Sequence, residues 1–294
     1  MSDPAERRRF FAEEIEAVGH LQTRALVDAL AAVPREDYLP PGPWTILSIA
    51  DYMPGTQAAP RVTPDADPKR VYHNVGIAID PSRQLFNGQP GTLAVWIDAL
   101  ELVPGARVLH VGCGLGYYTA LMAHAVGPAG RLVAYEIDEG LAIDARSRLQ
   151  AFGWVDVRHG DASAVLDEAF DAILVNAGVT HPLDTWLDAL AAGGRMVLPL
   201  TAAMPAMGPT LGKGLMWALT KTGTGDASDL TARMAGVIAI YSAVGLRDDD
   251  MNARIGKAMM SGPASWSSVK RLRRDQHEPA ASCWLHGSTC CLSA

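Results

Sequence analysis

Residues 108–120 read Val108-Leu109-His110-Val111-Gly112-Cys113-Gly114-Leu115-Gly116-Tyr117-Tyr118-Thr119-Ala120. An apolar strand runs into three glycines and then into a helix. Glycine lets a backbone turn sharply and lets a ligand lie against it without meeting a Cβ. The helix N-terminus beyond offers unpaired N–H groups. The glycines stand as G-x-G-x-G, whereas the dinucleotide fingerprint is G-x-G-x-x-G. The position that fingerprint needs is Tyr117, which weakens a pyrophosphate fit. A nucleoside with an amino-acid tail in place of phosphates suits this turn better.

Working outward, each following strand ends in a polar residue. Ala134-Tyr135-Glu136-Ile137-Asp138 closes the next one, and Glu136 stands twenty residues beyond Gly116. A carboxylate there accepts from ribose hydroxyls. His159-Gly160-Asp161-Ala162-Ser163 follows the third strand, and Asp161 is placed to accept from an adenine amino group. Phe170 to Val175 is a fourth strand, ending at Asn176. The reading along this region is strand 107–111, helix 117–126, strand 132–137, helix 141–152, strands 155–158 and 170–175, helix 182–190 and strand 195–200. This alternation predicts an α/β fold with a parallel sheet covered on both faces. Ligands in such sheets sit at the carboxyl ends of the strands.

The flanks differ. Residues 5–33 carry one helical period, ended by Pro34. Residues 39–68 are Pro-rich and read as a long connecting lid or wrap. A helix is expected over 92–102. Beyond residue 200 two long strands, 215–221 and 234–243, are joined by a polar Gly-rich loop. A helix over 248–260 and short strands at 269–273 and 284–292 follow. These divide into residues 1–90 (N-terminal helix and lid), 91–220 (cofactor-binding core) and 221–294 (sheet edge and extension). The chain has 294 residues and a formal net charge of -7. The acidic balance speaks against nucleic-acid binding, and Lys270 to Arg274 reads as a solvated face. No apolar run has the length of a signal core or a membrane span, so a cytoplasmic protein is expected, either monomer or homodimer. Cys113, Cys283, Cys290 and Cys291 are expected as thiols, with no metal. Met204, Met207, Met259 and Met260 read as core filler.

Taken with Val33-Pro34-Arg35-Glu36, Gln89-Pro90, Ala94, Gly193-Gly194-Arg195 and Leu198-Pro199, the glycine turn resembles that of class I S-adenosylmethionine methyltransferases. Within that class the chain is similar to the protein-L-isoaspartate O-methyltransferase family, over roughly residues 15–200. The resemblance implies a doubly wound, mostly parallel seven-stranded sheet with an N-terminal helical segment and a C-terminal α+β extension. It implies S-adenosylmethionine as cofactor, in a cleft formed by Gly112, Gly114, Gly116, Glu136, Asp161 and Ala162, and Cys113, Tyr117, Ile137 and Asn176 on the same turn and strand ends are expected to join them. The acceptor would be a carboxylate of a peptide, protein or small acid.

Three departures from the family stand out. The family segment typically reads as a small hydroxyl residue followed by x-Pro; here Asn87-Gly88 precede Gln89-Pro90, and the hydroxyl residue is missing. Asn87 or Gln89 is the candidate replacement as donor to a carboxylate oxygen, although Asn-Gly is also a favoured turn. After the fourth strand, Thr180 and His181 occupy the crevice lip. His181 would be the base if the acceptor were a hydroxyl. An ionised carboxylate needs no base. The chain also runs some seventy residues past the family core. The lost hydroxyl residue and this extension keep a non-catalytic cofactor-binding protein as a further alternative.

Overall fold

The computed structural model describes residues 3–47, 61–203, 210–222 and 229–294. Met204, Met207, the middle of the 39–68 segment and the polar loop before residue 229 lie outside the described residues.

The N-terminal helical period resolves into two helices, α1 (Pro4–Gly19) and α2 (Arg24–Ala32). The break is set by a contact remote in sequence. His20 takes a left-handed φ of 49°, and the Asp98 carboxylate accepts from the Gln22 and Thr23 N–H groups, the latter at 2.7 Å. The Pro-rich segment, expected as a lid, contributes β1 (Thr45–Leu47) and β2 (Arg61–Val62). With β3 (Gly76–Asp80) and β4 (Leu85–Phe86) they form a small sheet in the order β2-β1-β3-β4. Helix α3 (Pro90–Asp98) begins at Pro90, earlier than expected, because proline at the first helical position lacks only an N–H that would have had no partner.

The alternating region follows the periodicity closely: β5 (Arg107–Val111), α4 (Tyr117–Val126), β6 (Arg131–Glu136), α5 (Glu139–Arg148), β7 (Val155–His159), β8 (Phe170–Val175) and α6 (Asp184–Ala189). Three long strands come next: β9 (Leu190–Ala203), β10 (Leu211–Lys221) and β11 (Asp229–Tyr241). The chain closes with α7 (Asp249–Met259), α8 (Pro263–Ser268), β12 (Arg271–Arg273), β13 (Cys283–His286) and β14 (Cys291–Ser293). The single strand expected over 284–292 is thus a hairpin.

These strands build one sheet in the order β13-β14-β12-β11-β10-β9-β8-β5-β6-β7. Pairs β5–β8 and β8–β9 are parallel, and every pair from β9 through β13 is antiparallel. Strands β5 to β11 supply the seven expected. Residues 271–293 add three more, so the sheet has ten. Met260, expected in the core, is 87% exposed.

The chain divides into two compact units interleaved along the sequence. One comprises Met1–Gly105, Cys113–Ala134 and Asp138–Arg158; the other comprises Ala106–Gly112, Tyr135–Ile137 and His159–Ala294. The first is centred on Phe11, Ile15, Leu26, Leu30 and Leu121, the second on Leu109, Phe170, Trp186 and Trp217, all fully buried. No helix among the described residues is long and apolar enough to cross a membrane.

His110 on β5 is fully buried in the second unit, and burial pushes its pKa down from 6.5 to about 3. The unfolded chain therefore takes up a proton below about pH 6.5 that the folded chain refuses until about pH 3. Stability should fall as pH drops through that window, by up to about 1.4 kcal/mol per pH unit from this one group. Urea unfolding of the native chain and a His110→Leu variant at successive pH values between these limits should show a shallower acid slope in the variant.

Candidate active site

The turn between β5 and α4 is held open by backbone conformations that side chains resist. Gly112, Gly114 and Gly116 have φ of 80°, 55° and 92°. A Cβ on Gly112 would come within 3.2 Å of the Asn176 carbonyl oxygen, and one on Gly116 within 2.9 Å of Leu149 Cδ1. The first and third glycines are therefore favoured by φ, and a Cβ at either would also crowd its neighbour.

In the second unit, backbone hydrogen bonds draw the strand ends together. The Gly112 N–H donates to the Tyr135 carbonyl at 2.8 Å, and the Asn176 N–H donates to that of Val111 at 2.8 Å. Asn176 Nδ2 donates to the Gly112 carbonyl at 3.4 Å. The Gly160 N–H donates to the Glu136 carbonyl at 2.9 Å, and His159 Nε2 donates to that of Ile137 at 3.0 Å. Gly112, Glu136, Ile137 and Asn176, separated along the chain, thereby share one rim. Glu136 is 7% exposed, whereas the neighbouring Ile137, an apolar residue, is 44% exposed. Asp161 Oδ1 accepts from Ser163 N at 3.0 Å and from Ser163 Oγ at 2.7 Å, bonds that lower its pKa. Ala162 is buried with φ 57°, its carbonyl held by Trp186 Nε1 at 2.8 Å. Within the second unit, the bare backbone of Gly112, a carboxylate at one strand end and an apolar side chain beside it have the chemistry to hold a nucleoside with an amino-acid tail.

Tyr117, expected among the cofactor contacts, turns its ring away from that task. It is buried against Tyr38 and Tyr118, with centroids 6.1 and 5.2 Å away. Its hydroxyl has no hydrogen-bond partner. Only its backbone belongs to the turn, because it is the first residue of α4 and its side chain points into the first unit's core. Cys113 is likewise buried.

The Asn87-Gly88-Gln89 segment is organised by a residue whose role the sequence did not reveal. Arg35 is fully buried. Its Nη1 donates to the carbonyls of Val71 at 2.6 Å and His73 at 3.1 Å. Its Nη2 donates to the Val75 carbonyl at 2.8 Å, to Asn87 Oδ1 at 3.2 Å and to the Gly88 carbonyl at 3.5 Å. Burial lowers its pKa, opposed by Tyr118, Tyr117 and Tyr72. Asn87 Oδ1 also accepts from Ile77 N at 3.0 Å. Its Nδ2 is buried with no hydrogen-bond partner, which leaves both N–H donors of the amide unspent. Tyr118 Oη donates to the Gly88 carbonyl at 3.3 Å. Gln89 is the N-cap of α3 and makes no side-chain cap bond.

Thr180, expected at the crevice lip, is fully buried. Its Oγ1 accepts from the Asp248 N–H at 2.9 Å and is bonded to His181 Nδ1 at 3.0 Å. Asp248 is the N-cap of α7, so Thr180 anchors the start of that helix. Beside it Arg247 donates to the Gly178 carbonyl at 2.7 Å and to Thr201 Oγ1 at 2.9 Å, through Nη1. Its Nη2 donates to the Thr201 carbonyl and to Asn252 Oδ1, each at 2.7 Å. The C-terminal extension is thus fastened to the loop that follows β8. Arg247 had no motif to mark it. Arg35 had one, Val-Pro-Arg-Glu, but nothing in that string says that the guanidinium is buried.

A model of the family described as protein-L-isoaspartate(D-aspartate) O-methyltransferase matches residues 6–207. Protein-L-isoaspartate O-methyltransferase 2 of Polaromonas is 40% identical over 138 residues, 46% of this chain and 63% of that protein's length. The protein-L-isoaspartate O-methyltransferase of Methylorubrum populi is 34% identical over 203 residues, 68% of this chain and 81% of the relative. Among solved structures, a protein-L-isoaspartate O-methyltransferase superposes with a TM-score of 0.61 at 20% identity, covering 86% of this chain and 69% of the other. A Plasmodium falciparum structure titled as a beta-aspartate methyltransferase in complex with S-adenosyl-L-homocysteine gives 0.56 at 16% identity, covering 80% and 97%. These two show a shared fold.

Arg35→Lys keeps a charge but replaces a planar fork of five donors by a compact ammonium with three. Several buried carbonyls lose their partners, at about 1–3 kcal/mol for each group left unsatisfied. Chemical unfolding should show a loss of at least about 2 kcal/mol for the variant.

Proposed function

This chain belongs to the protein-L-isoaspartate(D-aspartate) O-methyltransferase family, whose cofactor is S-adenosylmethionine, and from that premise we propose that it methylates a carboxylate on a peptide or protein, with the isoaspartyl side chain as first candidate. The observation that carries the reading is the positive-φ Gly112 at the end of β5, with Glu136 and Asn176 on the same rim.

When bound, S-adenosylmethionine supplies a methyl group already activated by a positive sulfur. The chain's own part is binding and alignment. The bare glycine turn admits the amino-acid tail. Glu136 accepts from ribose hydroxyls, the exposed Ile137 side chain covers one face of the base, and Asp161 accepts from its amino group with the oxygen that Ser163 leaves open. A carboxylate acceptor is ionised at neutral pH. Its oxygen would take the methyl from the bound cofactor's sulfur, O–CH₃ forming as S–CH₃ broke, with no proton to move. Rate then comes from holding oxygen, methyl and sulfur in line and excluding water, for which effective molarities reach about 10⁵ M or more. Asn87 Nδ2, the buried donor without a partner, is assigned to one oxygen of the substrate carboxylate, in place of the family's missing hydroxyl residue.

A second reading, methylation of a hydroxyl, rests on one observation. The contact between His181 Nδ1 and Thr180 orients the ring, as a base needs.

Labelled S-adenosylmethionine should transfer base-labile methyl to an isoaspartyl peptide and not to its aspartyl twin. Transfer to neither, with cofactor binding intact by calorimetry, would overturn the isoaspartyl assignment and turn the search to other carboxylates and to hydroxyls. In the same calorimeter, Glu136→Gln should weaken cofactor binding by roughly 10-fold or more, the loss of a charge-assisted hydrogen bond.

A further inference from the structure

The C-terminal extension brings together four side chains with no part in methyl transfer: His277, Cys283, His286 and Cys291. One ligand atom from each lies within 4.8 Å of all the others. They fall beyond residue 207, where the family match ends. We propose that these four residues form a structural zinc site of the Cys₂His₂ type.

The geometry is close to what the metal demands. Zinc holds sulfur at about 2.3 Å and imidazole nitrogen at about 2.0–2.1 Å in a tetrahedron, which places its ligand atoms about 3.3–3.8 Å from one another. The contact between His277 Nε2 and Cys283 Sγ is already 3.5 Å. The wider separations close by movements of roughly an ångström, within reach of side-chain rotation.

Local structure explains how the four meet. Cys283 and His286 are three apart on β13, and on a regular strand they would face opposite ways. The β13–β14 ladder shifts register between Cys283 and Leu285, which returns them to one side. His286 and Cys291 are direct cross-strand partners. Of the two adjacent cysteines only Cys291 joins the group; Cys290 points elsewhere and is also buried.

Two further details belong to metal ligands. His277 Nδ1 lies 3.0 Å from the Asp275 carbonyl oxygen. A carbonyl can only accept, so Nδ1 carries the proton and Nε2, facing Cys283, presents its lone pair. Asp275 Oδ1 stands 3.5 Å from the same Nδ1. Ligating histidines are held by such a carbonyl or carboxylate behind them. His286 Nδ1 is buried and makes no hydrogen bond, an expense that a polar network or a metal normally removes. Binding releases the two thiol protons to solvent, and two thiolates neutralise the dication. Four protein ligands leave no open position, so the site is structural. It would tie the edge hairpin of the sheet to the loop before it.

The test uses the full chain, reduced and stripped with chelator, titrated with zinc chloride against a chromophoric competitor. One equivalent should bind. Cys283→Ser, Cys291→Ser and His277→Ala should each weaken binding by about 100-fold or more, Asp275→Asn by about 10-fold, and Cys290→Ser should leave it unchanged. Cobalt(II) in the unmodified chain should show thiolate charge-transfer bands and the visible absorption of a tetrahedral ion, a readout independent of any variant's folding. No uptake beyond the competitor's, or uptake indifferent to the Cys283, Cys291 and His277 substitutions, would overturn the site.

Discussion

The first unit is organised around a charge that it never pairs with an acid. Among the described residues Arg35 is fully buried, and its hydrogen bonds run to carbonyl oxygens at 71, 73, 75, 87 and 88. A guanidinium out of water is tolerable only when its donors meet acceptors in the right plane. That demand fixes the loop before β3 and the segment after β4 against one planar group. Asn87 takes its orientation from it. Oδ1 is spent on Arg35 and Ile77 N, so Nδ2 is the half of the amide that remains. The same carbonyl of Gly88 is shared with Tyr118, which carries the constraint into helix α4. A family motif at residues 33–36 and the departure at 87–88 are therefore one assembly.

The second unit shows a different device. There the extension is held by backbone carbonyls and hydroxyls that β8 and β9 leave at their ends. Arg247 meets Gly178 and Thr201, and Thr180 meets the first N–H of the next helix's cap. The loop after β8 is thus braced from behind by residues that the family match does not reach. Substitutions in residues 244–252 would be felt in that loop.

Legibility in the sequence followed the range of the forces. The alternating elements from 107 to 200 were readable because apolar period and glycine punctuation are local, and the structure places them within a few residues of expectation. The split between α1 and α2 was not readable, since the residue that caps it, Asp98, lies in another helix. The small sheet around β3 was hidden by short strands in a Pro-rich stretch. Cys283 and Cys291 read as plain thiols, because the register shift that turns Cys283 and His286 to one side has no sequence signature. Tyr117 sat in the right string for a cofactor contact, yet burial decided the direction of its ring.

Gly88 bears on how this chain and its relatives are connected by substitution. Its φ of 76° is costly for any residue with a Cβ, and a Cβ there would lie 2.7 Å from Leu93 Cδ2. A hydroxyl residue at this position would have to hold a left-handed φ, and Leu93 would have to swing aside for its Cβ, so a change of chemistry at Gly88 is also a change in the packing of α3.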